Sequence, residues 1–299
     1  MIAQTVMEDI PLSLPMVLSG SVLSKIADFR RRYPSTDPYP HVIIDDFLDP
    51  VLAKSLETRF PRMEQMPMMF SEPMSYKGQL SDINGKWPQF SAVFEVLQSQ
   101  EFRDLMSEIS GISELLDDPI LAGGGLHQSP KLGFLDLHVD ANFHPIDKSL
   151  HRRLNLLIYL NSDWNPEWGG QFEIWSDRNK KPFKLAKRIA PAFNRAVIFS
   201  TTRTSWHGVT PINCTNGCTR KSIALYYYTT SRPKQESYRD SSVIWHNRTH
   251  LWKRALYPPM NIGIAVMKPY AKRLRWLKSL LGRKDIFDAS ENPSNKARR

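Results

Sequence analysis

Cysteine is nearly absent: the chain holds only two, Cys214 and Cys218. Two thiols can neither close a zinc site alone nor build a disulfide framework. Four apart in NCTNGCT, they read as loop thiols, with a local disulfide or redox switch as the alternative. No apolar run approaches 18 residues, so no membrane-spanning helix is expected. The first 20 residues lack the basic start of a signal peptide and carry two acids and two prolines. A cytoplasmic protein is the expectation. A uniformly basic surface is also missing. Residues 268–299 hold ten basic and three acidic residues, a net +7 of the chain's +10, which leaves about +3 for the rest. Such a body is no nucleic-acid platform.

With 41% hydrophobic residues, a normal core is affordable. Residues 1–37 read as a leader with one helix, SVLSKIADFRRRY. A helical support region spans 38–120. Within it PHVIIDDFLDP predicts a short β run from His41 to Phe47. Asp49-Pro50 then starts a helix, with a capping acid ahead of proline at the first helical position. Residues 61–88, rich in Met and Pro, read as an irregular excursion whose Met63, Met66, Met68 and Met69 pack as a loop or line a flexible wall. Phe90, Val93, Phe94 and Leu97, and then Phe102, Leu105, Met106 and Ile109, repeat at i, i+3, i+4, i+7 and predict two helices ending near Gly111. From 121 to 233 the texture is β: LGFLDLHVD, RLNLLIYLN, GQFEIWS, RIAPAF, RAVIFST and KSIALYYYTT, divided by turn residues. Six short strands without intervening helices argue a sandwich or barrel. A polar extension, 234–267, and a basic amphipathic helix with a polar tail, 268–299, complete the order.

The chemistry centres on LDLHVD. On a strand, residues i and i+2 share a face, so His138 and Asp140 stand side by side, opposite Leu137 and Val139. An imidazole and a carboxylate so placed can take two positions on a metal, and a satisfied structural pair would read the same. His207, after the apolar run RAVIFS, is the best third ligand; His144 and His151 are its rivals. Two His and one carboxylate leave three positions open, the arrangement of non-haem Fe(II) oxygenases, whereas a zinc hydrolase would more often use three His, or two His with Glu. Arg220 opens RKSIALYYYTT and shares a face with Ser222. A guanidinium fork beside a hydroxyl makes a carboxylate clamp, although an arginine at a strand mouth also meets solvent. Tyr159 shares a face with Asn155 and Leu157, and its phenol needs a partner.

His138-Val139-Asp140, Tyr159-Leu160-Asn161, Gly169-Gly170, His207 and Arg220-Lys221-Ser222 occur in the order of a known family. From about 38 to 233 the chain resembles bacterial members of the Fe(II)- and 2-oxoglutarate-dependent dioxygenases, in their prolyl-4-hydroxylase-like branch. The resemblance implies an α+β protein, mainly β with flanking helices, around a double-stranded β-helix (a jelly-roll, cupin-like). It implies Fe(II) on His138, Asp140 and His207. It implies 2-oxoglutarate held by Arg220 with help from Ser222 and Tyr159, O2 as oxidant, ascorbate as reductant, and hydroxylation of an unactivated C–H with succinate and CO2 as co-products. The spacing of 13 between His207 and Arg220 is longer than usual.

For substrate, His127, Gln128, Asn142, His144, Arg152 and Arg153 are candidate entrance residues. In residues 268–284, Tyr270, Leu274, Leu277 and Leu281 line one face and seven Lys or Arg occur with no acid. That pattern suits an anionic membrane surface or docking on the enzyme itself. A membrane-bound enzyme suggests a lipid-linked acidic sugar, 3-deoxy-octulosonic acid of lipopolysaccharide, as substrate. The alternatives are a prolyl-type residue in a peptide, or a non-catalytic jelly-roll binding protein.

Overall fold

The computed structural model describes residues 11–66, 68–72, 74–83, 86–214, 217–233, 236 and 243–246. The basic segment 268–284 lies outside them. The chain begins with three short helices, α1 (Leu14–Val17), α2 (Gly20–Leu23) and α3 (Ile26–Arg32). The single helix expected over 21–33 is therefore interrupted at Ser24 and Lys25. Strand β1 (His41–Ile44) is shorter than the run that suggested it. Helix α4 (Pro50–Thr58) starts as the sequence predicts: the Asp49 carboxylate accepts from the amides of Val51 and Leu52, both at 3.0 Å. Such a cap satisfies two of the four amides that a helix start leaves bare.

The Met- and Pro-rich excursion is a hairpin of β2 (Met68–Glu72) and β3 (Ser75–Leu80). It shows little apolar alternation because it holds to the body through backbone pairing of β3 with two other strands. Helices α5 (Pro88–Gln98) and α6 (Gln100–Ser110) follow the predicted periodicity, and Gly111 closes α6 at φ 73°. Then come β4 (Gly125–Ser129), β5 (Phe134–Val139), β6 (His151–Tyr159), β7 (Phe172–Asp177), β8 (Pro182–Ile189), β9 (Arg195–Ser200), β10 (Trp206–Val209), β11 (Arg220–Thr229) and β12 (Ile244–His246). The strand expected in RIAPAF instead ends at Ile189. Its true body, PFKLAKRI, is an edge strand that exposes Phe183, Lys184, Ala186 and Arg188, and the two charges suit an edge that must not recruit another chain.

All pairings are antiparallel, in the order β1-β9-β6-β11-β4-β3-β5-β10-β7-β8, with β2 added on β3 and β12 on β5. β3 links the two halves, pairing with β4 by Gly78–Leu80 and with β5 by Ser75–Tyr76. The sheet thus curls into two layers, the jelly-roll. Strand β6 shows why. Leu154, Leu156 and Ile158 join Ala196, Ile198, Ile223 and Leu225 against the helices, in one core with Phe90, Leu97, Phe102 and Met106. The alternate residue Tyr159 faces inward, packed with Phe172, Ile174, Val197 and Phe199 between the layers. A strand covered on both faces reads as a nearly continuous apolar run, and each such side chain contributes roughly 1.5–3 kcal/mol on burial. Cys214 and Cys218 are joined as a disulfide, not left as loop thiols. Their Cα atoms, 6.1 Å apart across the turn into β11, are within disulfide reach.

Candidate active site

His138 lies on β5 and Asp140 just beyond its end. His207 lies not at the end of β9 but on its own strand, β10, where it is the direct cross-strand partner of His138. Partners in an antiparallel pair point to the same face, so the two imidazoles stand together, their ring centres 4.2 Å apart. The Asp140 carboxylate spans them. His138 Nε2 is 3.5 Å from Oδ1 and His207 Nε2 is 3.7 Å from Oδ2. All three are buried, and one donor atom from each lies within 4.8 Å of the others. Among the described residues no other cluster of His, Cys, Asp or Glu meets that condition; His144 and His151 stand apart.

The donor chemistry fits a divalent metal. Each imidazole gives its Nδ1–H to a backbone carbonyl, His138 to Asp136 at 2.9 Å and His207 to Ser205 at 2.8 Å. That fixes the tautomer and leaves each Nε2 lone pair aimed at the centre. Burial and the neighbouring His138 push His207 down to about 4, against the pull of Asp140, so its ring is neutral at physiological pH. Burial alone would raise the Asp140 carboxyl, but His207, His138 and Arg152 hold it well below the usual carboxylate range. Ligand bonds of about 2.1 Å put adjacent donor atoms roughly 3 Å apart, about 0.5–0.7 Å closer than the two carboxylate–imidazole distances here. Asn155, on the inward face of β6, donates to Asp140 Oδ2 at 2.5 Å and accepts from Thr201 Oγ1 at 3.2 Å.

The same cavity holds Arg220 and Ser222 from β11, with Lys77, His127 and Tyr226. Arg220 is 5% exposed, and its Nε donates to the Gly170 carbonyl at 2.9 Å. Its guanidinium sits 4.8 Å from the Tyr159 ring centre. Among the described residues it has no carboxylate partner. A buried cation without an anion is costly, and the cavity supplies room for one. The buried Tyr159 hydroxyl beside it makes no well-formed hydrogen bond. Gly170 is needed at this approach. Its φ is 69°, and a Cβ there would stand 2.9 Å from Trp164 Cζ2 and 3.2 Å from Arg220 Cδ. Burial pushes the Lys77 amine down to about 8, Asp140 opposing and Arg220 adding to the fall. Its Nζ is 3.4 Å from His127 Nδ1, and burial, Lys77 and Arg220 keep His127 well below the usual histidine range. With Arg220 and Lys77 charged against Asp140 alone, the cavity is suited to a dianion.

The other entrance candidates separate. His127 lines the cavity. The Gln128 amide instead donates to Thr219 Oγ1 at 2.7 Å. Asn142 is fully buried, its carbonyl accepting from the Arg152 amide. His144 packs 3.4 Å from Asp118 and edge-on to Tyr228. Between Tyr227 and Tyr228 the β6–β11 register slips, leaving Arg153 as an extra residue. That bulge turns Arg152 to the cavity side, 3.6 Å from Asp140 Oδ1 and 4.0 Å over the Tyr226 ring. Arg153 points elsewhere, to Glu236 at 3.2 Å. Sequence reasoning did not single out Asn155, Lys77, Tyr226 or Trp245. Asn155 had a signal, a lone amide on the Tyr159 face of an apolar strand; Lys77 and Trp245 had none.

Residues 124–228 match the family model of the 2OG-Fe(II) oxygenase superfamily. The jelly-roll segment is thus similar to that superfamily over 124–228. Among curated relatives, Prolyl 3-hydroxylase OGFOD1 of Mus musculus is 24% identical over 249 residues, covering 79% of this chain; the chain spans only 43% of that protein's length. Among solved structures, a Pseudomonas putida prolyl-4-hydroxylase aligns over 70% of this chain and 97% of its own, with 16% identity and a TM-score of 0.48. A Trichoplax adhaerens prolyl hydroxylase, solved with a fragment of the hypoxia inducible factor oxygen degradation domain, aligns over 70% of this chain and 93% of its own, with 17% identity and a TM-score of 0.49.

Proposed function

We propose that the chain hydroxylates a prolyl-type residue in a peptide or protein. His138, Asp140 and His207 hold Fe(II), and Arg220 grips the distal carboxylate of 2-oxoglutarate with Tyr159 and Ser222. The observation that carries the site assignment is the pairing, in one cavity, of a His-Asp-His cluster with a buried guanidinium that has no carboxylate partner among the described residues. The prolyl assignment draws on the name of the mouse relative. The metal when bound supplies the oxidising chemistry. One oxygen atom of O2 enters succinate as 2-oxoglutarate loses CO2, and the other becomes the hydroxyl of the product.

The chain's own residues organise that exchange. Arg220 and Tyr159 fix the far end of the co-substrate, so its keto acid end meets the metal from a set direction. Asn155 and Arg152 hold Asp140 in place. Phe172 and Phe199, with ring centres 5.5 and 4.8 Å from His207, keep one flank of the centre dry. The lipid-linked acidic sugar has no support in the described residues, since the basic segment that suggested it lies outside them. A cytoplasmic location belongs to the same proposal.

The test is succinate release from labelled 2-oxoglutarate under Fe(II) and O2, with proline-containing peptides, and with His138→Ala and Arg220→Ala in parallel. The expected result is succinate matched by one added oxygen on a prolyl residue, and neither product in the variants. Succinate that matches hydroxylation of a non-prolyl substrate would overturn the peptide assignment alone. No Fe(II)-dependent binding of 2-oxoglutarate would overturn the whole reading.

A further inference from the structure

Strand β5 carries His138, and one of its edges is completed by two separate segments. β3 covers Phe134 and Leu135, and the Asp136 amide donates to the Met74 carbonyl at 2.9 Å. The other half, Leu137 to Val139, is covered by β12, where Ile244 pairs with Val139, Trp245 with His138 and His246 with Leu137. Cross-strand partners point to the same face, so Trp245 stands on the metal side of β5. Its ring centre is 4.8 Å from that of His138, with the planes tilted by 31°. The imidazole is thus held between His207, at 4.2 Å on one flank, and Trp245 on the other. The Asp136 carbonyl holds its Nδ1 at 2.9 Å. The neighbour on β12, His246, meets the Trp206 ring at 6.2 Å, which ties the strand to β10 as well.

We propose that Trp245 is a positioning residue for the metal centre, a tryptophan returned from beyond the jelly-roll to lock the ring of His138 and close the edge beside it. The inference rests on the metal-centre reading above. A ligating imidazole must present Nε2 along one direction. The Nδ1 hydrogen bond leaves the ring free to rock about the axis of that bond, and a flat aromatic face against one side removes that freedom. Outer partners that orient metal ligands typically change metal affinity by about 10- to 100-fold when lost. The indole face also excludes water from the side of His138 that β3 leaves uncovered.

The experiment uses the full chain, with Co(II) as the probe and Zn(II) as a non-quenching control. Affinity is read by competition with a chromophoric chelator and by intrinsic fluorescence. Trp245→Ala is expected to weaken Co(II) binding about tenfold, while Trp245→Phe, which keeps an aromatic face, stays within about threefold of the parent. Because the indole lies against a ligand ring, Co(II) should quench a component of emission in the parent that is missing in Trp245→Phe, with Zn(II) causing no such loss. Thermal unfolding checks that each variant is folded; if Trp245→Ala is not, the emission comparison between the parent and Trp245→Phe decides. Parent affinity in a folded Trp245→Ala, or the same quenched component in Trp245→Phe, overturns the proposal. If the parent binds no Co(II), the metal-centre reading falls and the inference with it. A parent that binds Co(II) beside unaffected variants refutes the inference alone.

Discussion

The Arg220 assignment makes the sharpest demand on this structure. The guanidinium is buried with Nε already committed to the Gly170 carbonyl. Its terminal nitrogens, beside the Tyr159 hydroxyl, are those that would meet the co-substrate's distal carboxylate. Hydrogen bonds to charged groups contribute roughly 1.5–3 kcal/mol each, so the pair is worth about 3 kcal/mol after the cost of desolvating the ligand's charge. At about 1.4 kcal/mol per tenfold, that is on the order of a hundredfold in affinity. The assay compares 2-oxoglutarate with 2-oxobutyrate, which lacks the distal carboxylate, by metal-dependent binding and by KM. The parent should prefer 2-oxoglutarate about a hundredfold, and Arg220→Ala should bring the ratio close to one by weakening 2-oxoglutarate alone. Arg220→Lys keeps the charge but not the fork or the brace to Gly170 and should fall between, about tenfold down. The ligand-free protein gives a second reading. Arg220→Met removes a buried cation that has no carboxylate partner among the described residues, so its Tm should not drop below that of the parent. In the parent, 2-oxoglutarate at a hundred times its Kd adds about 2.7 kcal/mol, or roughly 5–10 °C in Tm, and in Arg220→Met that increment should vanish. A variant that still discriminates between the two keto acids, or still gains Tm from 2-oxoglutarate, would refute the clamp.

Two further outcomes follow from the surroundings of the site. Asn155→Ala removes the amide that holds Asp140 Oδ2 at 2.5 Å and should weaken Co(II) or Fe(II) binding about tenfold while 2-oxoglutarate discrimination persists; unchanged metal affinity would mean Asp140 is oriented without it. Lys77, pushed down to about 8 by burial, is charged below that pH and neutral above it, and a bound dianion shifts the change upward. The KM for 2-oxoglutarate should therefore rise about three- to tenfold between pH 7 and pH 9.5 in the parent, whereas Lys77→Met should start higher and stay flat across that range; parallel profiles would remove Lys77 from co-substrate binding.

What could be read in the sequence follows the reach of regular periodicity. The period of two placed His138 beside Asp140 and Arg220 beside Ser222, because the register shift on β5 falls before His138 and the one in the β6–β11 pairing only at Tyr227. The 3.6 period placed α5 and α6, whose apolar faces pack on the outer side of β6 and β11. Periodicity failed where the backbone departs from it. The bulge on β6 exchanges the sides on which Arg152 and Arg153 would have lain, so only Arg152 reaches Asp140. It failed again where pairing, not burial, forms the element: the β2–β3 hairpin and the exposed edge β8 carry few alternating apolar residues.

The residues with no signal at all share a cause. Lys77 comes to the cavity from 61 positions before His138, and Trp245 from 107 positions after it. Each belongs to a strand held to β5 by backbone pairing: β3, which bridges β4 and β5, carries Lys77, and β12, added on β5, carries Trp245. Edge addition takes its energy from backbone hydrogen bonds, which any side chain permits. The side chain so delivered is therefore under no constraint from the core and leaves no pattern. The central strands could not change their inward residues without losing either the metal donors or the contact between layers. The added strands can. Trp245 and Lys77 flank the metal centre from such positions, one on His138 and the other in the cation pair with Arg220. Substitutions there should alter affinity and pH dependence before they alter the fold.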